Sequence, residues 1–177
     1  MCTLARSVPK VSKTSDNLKQ AFAGESKANR RYLAFAQKAE EEGYPQVAKL
    51  FRAIAEAETI HALNHLGILG EIKSTEGNLK TAISGENFEF KGMYPEYLNT
   101  ARQEGQKKAA WNFEVAGKVE KIHAGLFSKA IKDLKSGARV AEVEYHICSV
   151  CGYTVEGATP EKCPICGAPK EKFFKAA

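Results

Sequence analysis

The chain has no run approaching 18 apolar residues, so no stretch of it reads as a membrane-spanning helix. Residues 1–13 carry Arg6, Lys10 and Lys13 but no apolar core, so no signal peptide is expected there. With neither device, the expected location is the cytoplasm. Clustered base is missing too. The formal charge of +5 is mild, and Lys and Arg are spread along the helical stretches, so nucleic acid is not an expected partner. Cysteine is scarce until the end. Cys2 stands alone near the start and reads as a free thiol, while the other four of the five fall in two Cys-x-x-Cys pairs at the C-terminus. In a cytosolic chain such pairs read as metal binding rather than as a disulfide framework.

What is present fits one medium domain plus a small module: 177 residues, 44% hydrophobic and 27% charged. Two stretches organise the larger part, Glu58-Thr59-Ile60-His61 and Glu120-Lys121-Ile122-His123. Each is Glu-x-x-His in a run of helical period, and residues three apart share a helix face. Each has a partner glutamate upstream, Glu25 by 33 residues and Glu89 by 31. That is two helical hairpins, each offering Glu from one helix and Glu-x-x-His from the next. Four carboxylates and two imidazoles make up the inward ligand set of a di-iron carboxylate four-helix bundle. Such hard to borderline ligands suit iron or manganese, and zinc can occupy them without redox chemistry.

The bundle is expected over residues 1–137, with helices at about 16–42, 45–67, 78–104 and 106–135. Ser15 or Asp16 is positioned to cap the first. Glu25 falls within that helix's apolar stripe, where a carboxylate is costly unless paired or bound to metal. His65, one turn past His61, reads as a core or supporting histidine rather than a third ligand. The break from Gly67 to Asn78 is long enough for a crossover between helix pairs. The third helix is the least regular: Gly85, Gly92 and Pro95 predict two segments meeting near residues 85–95.

Composition changes after residue 137, and residues 140–177 form a second domain. Cys148, Cys151, Cys163 and Cys166 lie in two knuckles with eleven residues between the pairs. A segment this small cannot fold on apolar burial alone, so a metal must supply much of its stability. Four thiolates suit one iron or one zinc. The short gap and the Cys-Gly continuation of each knuckle favour iron, whose potential backbone N–H groups tune.

Over almost its whole length the chain resembles rubrerythrin. The residues that carry the resemblance are Phe22-Ala23-Gly24-Glu25-Ser26, Glu58-Thr59-Ile60-His61, Gly85-Glu86-Asn87-Phe88-Glu89 with Met93-Tyr94-Pro95, Glu120-Lys121-Ile122-His123 and the four-cysteine tail. The resemblance implies an all-α ferritin-like four-helix bundle with two non-haem irons, joined to a rubredoxin-like domain with one. It implies a peroxidase that reduces hydrogen peroxide to water. Electrons would come through the four-cysteine iron from NAD(P)H, by way of a separate reductase or rubredoxin. It implies homodimers, some with swapped helices, in which one chain's tail lies near the other chain's di-iron site. Glu25, Glu58, His61, Glu89, Glu120 and His123 are the expected bundle ligands and catalytic residues, with Tyr32 matching a tyrosine beside the iron. Many relatives carry a further glutamate three residues after the one matched by Glu89; here that place is Gly92, and Glu114 is the acidic residue available to substitute.

Two other readings stay open. One is a ferroxidase or iron-storage bundle, although storage gives the four-cysteine tail no use. The other is a zinc-ribbon interaction module on a helical scaffold.

Overall fold

The computed structural model describes residues 12–137 and 142–176. Cys2, most of the lead-in and the junction at 138–141 lie outside the described residues. Among the described residues, five α-helices and three short strands follow one another. They fall into two compact units, Met1–Lys73 and Ser74–Ala177. The division expected at residues 137–140 does not coincide with this one. Compactness draws its line earlier and groups the tail with the helices that precede it.

The first unit is a helical hairpin of α1 (Lys13–Glu41) and α2 (Pro45–Leu69). α1 begins earlier than the sequence predicts. Its cap is Ser12, whose hydroxyl accepts from Ser15 N–H at 3.1 Å, and Ser15 is buried inside the first turn. Small residues let the helices approach: Ala36, Ala39 and Ala48 form the core, with Phe51 packed on it. Asn29 is the buried polar residue of this seam. Its Nδ2 donates to Ala55 O at 2.8 Å and to Thr59 Oγ1 at 2.9 Å, which satisfies it.

In the second unit α3 (Thr75–Phe88) runs through a π-helical turn, Glu89–Met93, into α4 (Tyr94–Gln103), and both pack on α5 (Lys107–Ser136). The expected break falls where Pro95 demands it. Proline has no N–H to give a regular helix, and the widened turn absorbs the lost bond: Tyr94 N–H reaches back to Glu89 O, five residues earlier. α4 then crosses α5 closely at Gly117. A Cβ there would lie 3.1 Å from Tyr94 Cβ, so glycine sets the spacing.

The tail is a three-stranded antiparallel sheet in the order β2-β1-β3, from Tyr145–Cys148 (β1), Thr154–Glu156 (β2) and Phe173–Lys175 (β3). Tyr153 and Phe173 pack edge to face beneath it, with centroids 6.2 Å apart. Among the described residues, no helix is long and apolar enough to cross a membrane.

Candidate metal centres

The four-cysteine site is built by two near-identical turns. Gly152 N–H donates to Cys148 O at 2.8 Å and Gly167 N–H donates to Cys163 O at 2.9 Å. Both glycines have positive φ, +82° and +75°, a region that side chains rarely enter. The thiols are free, and the Sγ pairs Cys148/Cys166 and Cys151/Cys163 are 3.7 and 3.5 Å apart. A tetrahedron with metal–sulfur bonds of about 2.3 Å has edges of about 3.8 Å, so the cage already fits an ion. Burial pushes the Cys151 thiol up. At Cys163 burial also raises, but the N–H groups of Cys166 and Ile165 outweigh it and the value falls. A cation in the cage removes the cost of holding buried thiolates.

The helical ligands form two clusters, one in each unit. In the first, Glu25 of α1 meets Glu58 and His61 of α2, with ligand atoms within 4.8 Å of one another. His61 Nδ1 is 2.9 Å from Glu58 Oε2. Tyr32 lies two turns on from Glu25, and its ring packs with Phe51 and Phe35 at 6.1 and 6.3 Å. His65 is not gathered into this cluster, and its Nδ1 is buried with no hydrogen-bond partner.

In the second cluster Glu86, Glu120 and His123 come within the same 4.8 Å, and His123 Nδ1 is 2.7 Å from Glu120 Oε2. The carboxylate gathered here is thus Glu86, which sequence reasoning quoted without a role, and not Glu89. Glu89 sits one turn further, close enough for the Glu120 charge to act on it: burial first, then Glu120, raises its pKa. Two signals pointed to Glu86. It precedes Glu120 by 34 residues, nearer to the 33 of the first hairpin, and Gly85-Glu86 repeats Gly24-Glu25. With Glu86 in the cluster, the further glutamate three residues on is Glu89. In that register Gly92 is not the place three residues after the clustered carboxylate. Glu114 serves elsewhere, held by Lys118 at 2.8 Å and Arg102 at 3.0 Å; the Lys118 hydrogen bond, then its charge, lowers the Glu114 pKa.

The electrostatics of this cluster call for a cation. Burial, then the Glu120 carboxylate beside it, pushes the Glu86 pKa up to about 7. Crowded carboxylates behave this way until a metal neutralises them. Tyr94, also without an assigned role in the sequence reading, belongs to this neighbourhood. Burial, then Glu120, Glu89 and Glu86, raises its pKa and keeps its hydroxyl protonated.

Paired carboxylate-and-histidine clusters on helical hairpins, followed by a four-thiolate knuckle domain, define a di-iron carboxylate protein with a rubredoxin-like module. The family description "Rubrerythrin" matches residues 16–131, and "Rubrerythrin, rubredoxin-like domain" matches residues 146–174. The chain belongs to the rubrerythrin family. It is 42% identical to rubrerythrin-2 of Clostridium acetobutylicum, over 90% of this chain and 95% of that one. It is 36% identical to nigerythrin of Nitratidesulfovibrio vulgaris, over 96% and 90%. A solved structure described as the partially reduced state of nigerythrin superposes with a TM-score of 0.56, at 36% identity, covering 98% of this chain and 91% of that chain. The fold is therefore a ferritin-like four-helix bundle with a rubredoxin-like domain, and the cofactors are two irons in the bundle and one in the tail. Membership also makes the chain an oxidoreductase of oxidative-stress defence.

Proposed function

We propose that this protein is a cytoplasmic peroxidase that reduces hydrogen peroxide to water with electrons relayed from its own four-cysteine iron. The balance is one peroxide, two electrons and two protons to two waters. The observation that carries the reading is the contact between the two sites' elements. The first knuckle's Gly152 O lies 3.3 Å from Nε2 of His123, so Cys151 is bonded directly to the residue that meets a bundle ligand. The resemblance sets a tail against the other chain's site; here the tail touches α5 of its own chain. An electron carrier placed this way has a use in peroxide reduction and none in iron storage.

The residues divide the work. Glu25, Glu58 and His61 on the first hairpin, and Glu86, Glu89, Glu120 and His123 in the second unit, would hold the bundle's two irons, which would supply electrons to peroxide. Glu86 joins the set because it is the carboxylate clustered with Glu120 and His123. Cys148, Cys151, Cys163 and Cys166 hold the single iron. Tyr94 keeps its proton and offers a hydroxyl donor near the carboxylates, while Tyr32 walls the first hairpin with its ring. Electrons reach the tail from NAD(P)H through a separate reductase or rubredoxin.

The working unit is a homodimer with helices exchanged or apposed. Its support is apolar surface: the α1–α2 hairpin leaves Leu50, Ile54, Ile60 and Leu63 exposed. Anaerobic turnover with an electron donor tests the activity. Consumption of peroxide at one mole per two electrons, much faster than consumption of dioxygen on added Fe(II), is expected. The reverse order would make the protein a ferroxidase.

A further inference from the structure

His123 is engaged on both ring nitrogens. Nδ1 faces Glu120 Oε2 at 2.7 Å, and Nε2 lies 3.2 Å from Thr154 Oγ1 and 3.3 Å from Gly152 O. A neutral imidazole has one N–H and one lone pair. Glu120 Oε2 and Gly152 O both only accept; when Nδ1 gives its lone pair to a metal ion, the single N–H is left at Nε2, facing the tail. The Thr154 hydroxyl donates its own hydrogen to Gly152 O at 3.1 Å. What Thr154 presents to Nε2–H is therefore an oxygen lone pair, already oriented.

Both acceptors belong to the tail. Gly152 closes the first knuckle, and Thr154 opens β2, whose Glu156 pairs with Lys129 of α5 at 3.2 Å. The tail is thus pinned to α5 on either side of this contact, and Val119 of α5 packs beneath Gly152.

We propose that Thr154 is a positioning residue for the bundle's metal centre: its hydroxyl, delivered by the four-cysteine domain, fixes His123 as the Nε2–H tautomer and holds the ring with Nδ1 turned to the metal. The proposal rests on the reading of Glu86, Glu120 and His123 as metal ligands. It makes the docked tail part of the bundle's ligand architecture as well as its electron source. Without the hydroxyl, Nε2–H keeps only the longer contact to Gly152 O, and that carbonyl loses its own donor.

The test compares full-length wild type, Thr154→Val and Thr154→Ser, each with its tail site filled and its bundle metal-free. Cobalt(II) is titrated in and its visible bands are followed. Removing such a supporting partner lowers metal affinity about tenfold or more, so Thr154→Val should bind cobalt in the bundle about tenfold more weakly with shifted bands. Thr154→Ser should restore both, while the tail's spectrum stays the same in all three. Unchanged affinity in Thr154→Val, or a loss that Thr154→Ser does not restore, overturns the proposal. A wild type that takes up no cobalt beyond the tail overturns the metal-site reading itself, which is a different result. A readout free of mutation is the 15N spectrum of zinc-loaded wild type: protonated Nε2 on His123 is expected, and protonated Nδ1 overturns the tautomer assignment.

Discussion

Metal uptake by the Glu86, Glu120 and His123 cluster should expel a proton that belongs to Glu86. Its carboxyl titrates at about 7 in the metal-free protein, because burial and then the neighbouring Glu120 charge oppose its ionisation. A group with that pKa is roughly 0.9 protonated at pH 6 and roughly 0.1 protonated at pH 8, and a coordinating carboxylate must lose its proton. Wild type should therefore release roughly 0.9 proton more than Glu86→Gln on binding zinc at pH 6, and roughly 0.1 more at pH 8. Subtracting the variant removes the contributions of the histidines and of the buffer. The assay is calorimetric titration of tail-filled protein in two buffers of different ionisation enthalpy. Glu89→Gln should keep most of the difference, because Glu89 is the weakest of the influences acting on Glu86. No difference between wild type and Glu86→Gln at pH 6, or the same difference at both pH values, would refute the placement of Glu86 at the metal.

Stability follows with a definite sign. The folded pKa of Glu86 lies above its unfolded value of about 4.3, so the native state holds the extra proton between the two. Metal-free protein should melt at progressively lower temperature as pH rises from 4.3 toward about 7, and Glu86→Gln should flatten that fall in a calorimetric scan. Removing a carboxylate that shares the ions, as in Glu58→Ala or Glu120→Ala, should drop bound iron toward the tail's single ion. Full stoichiometry in both variants, by metal analysis, would place the site elsewhere. Cys163→Ser should bleach the red tail chromophore and stop multiple turnover, while pre-reduced bundle still reacts once with peroxide in a stopped-flow trace. Gly117→Ala sets a methyl 3.1 Å from Tyr94 Cβ and should cost about 1–3 kcal/mol by overpacking in a denaturant titration.

The local chemistry was the legible part of this sequence. Glu58 with His61, and Glu120 with His123, are fixed by helical spacing, so the pairs could be read before any fold was known. The cysteine knuckles are equally local, since Cys-x-x-Cys followed by glycine specifies its own turn. Spacing leaned toward Glu86, 34 residues before Glu120 against 33 in the first hairpin, but did not decide between it and Glu89. Both lie on one face of the same helix, and a hairpin accommodates a separation of 31 as readily as 34. What separates them is which turn of α3 lies opposite Glu120, and that depends on how the π turn at Glu89 shifts the helix. Pro95 announced the break, but a proline does not say whether the chain will kink or widen. Thr154 was beyond reach for a different reason. Its partner His123 is 31 residues away in another kind of structure, and only the docking of the tail on α5 brings them together. Tyr94 resembles Glu86 in this respect: its motif was visible, while its carboxylate neighbours come from α3, the π turn and α5.

The relay of electrons from tail to bundle is best tested by rapid anaerobic mixing of fully reduced protein with excess hydrogen peroxide, following the red absorbance of the tail iron as it oxidises. Gly152 O beside His123 predicts that the red colour forms in a first-order phase whose rate does not depend on protein concentration. Peroxide consumption with a tail that stays colourless, or colour whose rate rises in proportion to protein concentration, would contradict the relay.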